Sequence, residues 1–202
     1  MRYTLREDGM TTPLATLFMN AFAQELDPPF AMLRSTNWSV AWQAREHLVL
    51  RAKQAAMARG NSYRNFQVGA ATLLSSTHSQ QLKSRGQSPH VIYTGSNWKL
   101  GKDERNTCAE QEIVAQIRQQ QHMFPSRRML LLTIAGEAQD EPDAESGVRT
   151  PTLHPCRHCR KLLASVPEVR RDTVIITVSC GTETMELMTF AELLRIHQTS
   201  QL

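Results

Sequence analysis

No run of apolar residues in this chain approaches the roughly 20 needed to span a bilayer. The nearest, residues 14–23, is short and broken by Asn20. The first eight residues also lack the apolar segment of a secretion signal. These two absences predict a cytoplasmic protein with no membrane partner. Cysteine is scarce as well, 4 in 202 residues, which excludes a disulfide scaffold. In a reducing compartment, thiols are better read as metal ligands. Neither sign of charge is in large excess: 23 Lys and Arg against 19 Asp and Glu leave +4. The cations are scattered, apart from Arg157, Arg160 and Lys161. A nucleic-acid binder gathers them on one face or stripe, so no nucleic-acid partner is expected.

What is present is an alternation of helix and strand patterns without internal repeats, which predicts an α/β fold. Helices are expected at 13–24, ended by Asp27-Pro28-Pro29, and at 40–59, stopped by Gly60-Asn61. Strands are expected at 66–74 and 90–94, separated by a Ser/Gln-rich loop over 75–89. A helix at 107–121 and a nearly unbroken apolar strand at 129–135 follow. Residues 136–151 carry five acidic side chains among Pro and Gly and read as a surface loop. A short helix from Pro155, a buried strand at 173–179 and a last helix from Thr189 complete the pattern. Residues 1–39 are read as an N-terminal helical extension and 40–202 as the catalytic domain.

Two segments carry chemistry: Cys108-Ala109-Glu110 and Pro155-Cys156-Arg157-His158-Cys159. Each falls at an expected helix start, where backbone N–H groups and the helix dipole favour a thiolate. Cys156 and Cys159 are three apart, so their sulfurs can share one side of a first turn. With Cys108 they make three ligands, which leave a tetrahedral zinc one open position for water. Glu110 sits beside that position as a proton carrier, suited to general acid–base work. A lone C-x-x-C is often a structural zinc or redox motif, but C-A-E followed by P-C-x-x-C is far more restrictive. His154 and His158 flank the cysteines; surface or second-layer imidazoles are the expectation, with competition as ligands left open. Cys180 is expected to be a buried thiol at a strand end.

Around these segments the chain resembles the cytidine deaminase family, zinc enzymes acting on free pyrimidine nucleosides. The resemblance runs from about residue 41 to 194. Tyr63-Arg64-Asn65-Phe66-Gln67-Val68-Gly69-Ala70-Ala71 is similar to the family's Y-S-x-F-x-V-G-A-A strand, and Gly95-Ser96-Asn97 to its G-x-N-x-E-N segment. The spacing of 11 from Asn97 to Cys108 matches, and the two cysteine segments follow in order. Val174-Ile175-Ile176 and Met188-Thr189-Phe190-Ala191-Glu192-Leu193-Leu194 are similar to the closing strand and helix. The resemblance implies a three-layer fold with a central five-stranded mixed sheet flanked by helices. It also implies one zinc per chain on Cys108, Cys156 and Cys159, catalysis by Glu110, and a homo-oligomer, dimer or tetramer. Phe66 would lie against the pyrimidine, Asn97 would bind the ribose, and backbone around Thr107 and Ala109 would hold the base edge.

Four departures accompany it. Lys99 stands where the family usually has a ribose-binding Glu; a cation cannot accept a hydroxyl proton, so Lys99 either meets a phosphate or other acidic group or is solvated. Gln111 replaces an Arg that often offsets the charge of three thiolates, a task Arg157 or Arg160 could take. The loops 75–89 and 136–151 look like insertions. The reading is hydrolysis of cytidine or deoxycytidine to uridine or deoxyuridine and ammonia, in nucleoside metabolism of the pyrimidine-salvage kind. Its rivals are a deaminase for a modified cytosine nucleoside, nucleotide or nucleoside antibiotic, a polynucleotide-editing deaminase, and a non-catalytic zinc-stabilised binding protein.

Overall fold

A computed structural model describes residues 4–5, 36–58, 66–76, 90–98, 106–120, 127–138, 147–182 and 184–198. Six strands form one mixed sheet: β1 (Thr4–Leu5), β2 (Val68–Ser76), β3 (His90–Ser96), β4 (Arg127–Gly136), β5 (Val174–Val178) and β6 (Met185–Thr189). Their spatial order is β1-β6-β5-β4-β2-β3. Only β4 and β5 pair in parallel; every other neighbouring pair is antiparallel. The helices among the described residues are α1 (Thr36–Ala58), α2 (Ala109–Gln119), α3 (Arg157–Ala164) and α4 (Phe190–Gln198). The expected five-stranded sheet is β2 to β6, and the two-residue β1 adds a sixth strand at the β6 edge. The helix expected at 13–24 lies outside the described residues. Among those residues no helix is long and apolar enough to cross a membrane.

The layers follow from the alternation of side chains along each strand. On one face, Ala71 and Leu73 of β2, Leu131 and Ala135 of β4 and Ile176 of β5 pack against Leu48 and Ala52 of α1. On the other, Ala70, Leu132, Ile134 and Ile175 meet Ile113 of α2, Leu163 of α3 and Leu193 of α4. Burial on both faces accounts for the continuous apolar run of β4. Gly69 lets α1 approach closely: a Cβ there would stand 2.0 Å from the Ala52 carbonyl oxygen.

Candidate metal and substrate site

Strand direction brings the site together. β3 and β4 both run antiparallel to β2, so they point the same way, and β5 runs with β4. The carboxyl ends of these three strands therefore share one edge of the sheet. The chain leaving β3 enters α2 there, and the chain leaving β4 enters α3 there. Phe66 and Val68, at the start of the antiparallel β2, arrive at the same edge. Crevices outside carboxyl strand ends are the common ligand sites of α/β sheets.

Cys108 is the N-cap of α2 and Cys156 the N-cap of α3, both in extended backbone. Cys159 lies one turn into α3 and is fully buried. The three sulfurs lie within 4.8 Å of one another, with Cys108 and Cys156 at 4.0 Å. Sulfurs held tetrahedrally at about 2.3 Å from zinc would stand roughly 3.8 Å apart, so the cluster needs little adjustment to close on the ion. The proton balance agrees. Thiol hydrogen bonds from Cys108 and Cys159, then backbone N–H groups of Cys159 and His158, hold Cys156 far below the ordinary thiol range. Hydrogen bonding within the trio and burial push Cys108 and Cys159 up. Three sulfurs this close keep one negative charge by themselves, and a divalent cation allows all three to ionise. The donor set fits zinc.

Glu110, in the first turn of α2, is only 4% exposed. Burial pushes its carboxyl up to about 7, although hydrogen bonds from its own backbone and from Cys159 pull the other way. A carboxyl poised near neutrality can both take and give a proton. Gln111, two residues into the helix, accepts a 2.7 Å hydrogen bond from the Cys108 backbone N–H, so it caps α2. Arg160 is the buried cation of the basic group and donates to the Pro155 carbonyl at 2.7 Å, whereas Arg157 is exposed.

A cavity of about 310 Å³ opens beside Cys108, Cys156 and Glu110. Phe66, Asn97 and Ala109 line it with them. The Asn97 side chain braces the wall, accepting from Val68 N–H at 2.8 Å and donating to the Phe66 carbonyl at 2.7 Å. Thr107 is exposed and does not line the cavity; its N–H and C=O exchange hydrogen bonds with Trp98. Lys99 lies outside the described residues. His158 is exposed on α3, and Cys180 is half-buried just past β5. The metal-ligand group among the described residues is the cysteine trio without either histidine.

Sequence reasoning missed a second polar set in the same cavity. Thr150, Thr152, His154 and His197 line it, and Glu186 of β6 stands behind them, 3.0 Å from His154. Two signals could have found the distant members. His197 continues the apolar face Phe190, Leu193, Leu194 of the last helix at helical spacing. Glu186 interrupts a short apolar segment, Met185 to Met188, and is 2% exposed.

No family model matches the chain, and no curated protein matches its sequence. Solved structures with a similar arrangement include the cytidine deaminase from Burkholderia pseudomallei, at 17% identity and a TM-score of 0.49, covering 73% of this chain and 94% of that one. The cytidine deaminase from Mycobacterium leprae matches at 19% identity and 0.46, covering 74% and 96%. A single-substitution mutant of the Mycobacterium tuberculosis cytidine deaminase matches at 24% and 0.41, covering 65% and 80%.

Proposed function

We propose that this chain is a zinc-dependent hydrolytic deaminase of cytosine nucleosides, with cytidine and deoxycytidine as substrates. The observation that carries the reading is the meeting of three cysteine sulfurs within 4.8 Å with a buried Glu110 on one small cavity. Cys108, Cys156 and Cys159 hold the metal. Zinc, when bound, supplies a Lewis acid that makes water a nucleophile near neutral pH. Glu110 takes one proton from the attacking water and passes it to the ring nitrogen of the base. It then takes the second proton from the hydroxyl newly bonded to the ring carbon and passes it to the amine, which leaves as ammonia while the carbonyl forms. Burial suits it to both roles, because it lies close to the pH at which either form is available. Phe66 and Ala109 bound the space for a flat base, and Asn97 keeps Phe66 and Val68 in place. A purely structural zinc site would have no use for an acid–base carboxyl buried beside its ligands.

The cavity, about 310 Å³, is at the small end of ligand pockets and suits one nucleoside. The test is a panel: zinc-loaded protein with cytidine, deoxycytidine, their monophosphates, cytosine and a short oligonucleotide, each followed by ammonia release. Turnover is expected with the two nucleosides. Preference for a monophosphate would move the reading to a nucleotide deaminase and give Lys99 a phosphate to bind. No turnover of any member by protein carrying one zinc per chain would leave the zinc-stabilised binding protein.

A further inference from the structure

The second polar set on the cavity wall is one continuous hydrogen-bonded chain. Thr152 donates its hydroxyl proton to Glu186 Oε2. The 2.6 Å contact between Thr152 and Thr177 must then take its proton from Thr177. His154 Nε2 stands 3.0 Å from the same oxygen, and with Glu186 ionised it is the donor of that pair. Its Nδ1 shares a 3.1 Å hydrogen bond with His197 Nε2. Thr150 is fixed likewise: its proton goes to the Thr152 carbonyl at 2.7 Å, so its oxygen has only lone pairs to offer a ligand.

Both nitrogens of His154 are spent within this network, which makes it a positioning residue for His197. Glu186, Thr152 and Thr177 are almost fully buried and form a rigid backing for Thr150, which itself lies in the irregular segment before α3. A buried polar network of this size holds a fold no better than apolar side chains of the same volume. Its distinguishing feature is that it ends on the cavity, at Thr150 and His197. A nucleoside has one part whose polar atoms are hydroxyl donors, the sugar, and such donors need acceptors.

Resting on the nucleoside reading above, we propose that Thr150 and His197 form the sugar subsite of this cavity. Thr150 Oγ accepts a hydrogen bond from a sugar hydroxyl, and the His197 ring, steadied through His154 by Glu186, packs as the polar wall beside it. The base lies toward Glu110 and the cysteines. Thr150 and His197 are thus specificity residues that separate nucleoside from free base.

The experiment measures binding of uridine and of uracil to the zinc-loaded protein, by titration calorimetry or ligand-observed NMR, in wild type, Thr150→Val, Thr150→Ser and His197→Phe. Zinc content and melting temperature are recorded for each. One lost neutral hydrogen bond should weaken uridine binding about three- to tenfold in Thr150→Val, with uracil unchanged. Thr150→Ser, which keeps the hydroxyl, should restore uridine binding, and His197→Phe should again spare uracil. In turnover the same loss appears as a raised KM for cytidine with kcat within about twofold. Thr150→Val binding uridine as wild type does, or losing uridine and uracil in equal proportion, overturns the subsite and leaves the deaminase reading standing. Wild type that neither binds uridine nor deaminates cytidine overturns both.

Discussion

Each of the three cysteines gives one sulfur, but each is held by different means. Cys108 and Cys156 are helix caps, whereas Cys159 is buried under the first turn of α3. Since metal binding is in part folding energy, replacing any one by Ala should lose zinc and lower the melting temperature of the metal-loaded protein. After chelation the variants and the wild type should melt within a few degrees of each other. Zinc analysis at full stoichiometry in all three variants would contradict the ligand assignment. The clustering of the three cysteines and the place of Glu110 beside them were legible in the sequence, because both cysteine segments fall at helix starts and their spacings are short. Glu186 and His197 each left a local signal, but their partner His154 stands 32 and 43 residues away and no local pattern joins them to it. Asn97 was legible as a site position through the resemblance, while its bracing of Phe66 and Val68 emerges only from the β2–β3 pairing.

Among the elements, α2 matters most, because it carries Cys108 and Glu110 together. Its position depends on Gly95 of β3, where a Cβ would stand 2.4 Å from the Ala109 carbonyl oxygen, a backbone atom in the first turn of the helix. Gly95→Ala should therefore shift α2 outward, costing about 1–3 kcal/mol of stability and weakening zinc affinity as well. Gly69→Ala is the control: its Cβ would meet Ala52 and Ala56 backbone on α1, across the sheet from the cysteines. It should cost at least as much stability while zinc affinity, measured by competition with a chelator, stays near wild type. Equal loss of affinity in both would show that α2 placement is not the sensitive feature. Long periodic helices and the strand buried on both faces could be read from the sequence. β6 could not: it has five residues, carries Glu186 second, and runs into α4 with no turn between. β1, two residues long, had no signal to read.

At the scale of the whole molecule, the sheet order explains why residues as far apart as Phe66, Cys108, Cys156 and His197 line one cavity. Three strands end at one edge, two helices begin there, and α4, running back from the end of β6, returns its last turn to the same place. The resemblance to cytidine deaminases also leads us to expect a homo-oligomer, and light scattering on an active preparation should give a mass of two or four chains. A monomer with full activity would contradict that. The proposed function requires that this edge of the sheet hold zinc on three cysteines and move protons through Glu110. It is tested most directly by following cytidine to uridine and ammonia with wild type and Glu110→Gln at equal zinc content. The wild type should release one ammonia per uridine, and the variant should show a kcat lower by about 10²–10⁴-fold with zinc and melting behaviour retained. A Glu110→Gln protein that keeps its zinc and turns cytidine over at the wild-type rate would contradict it.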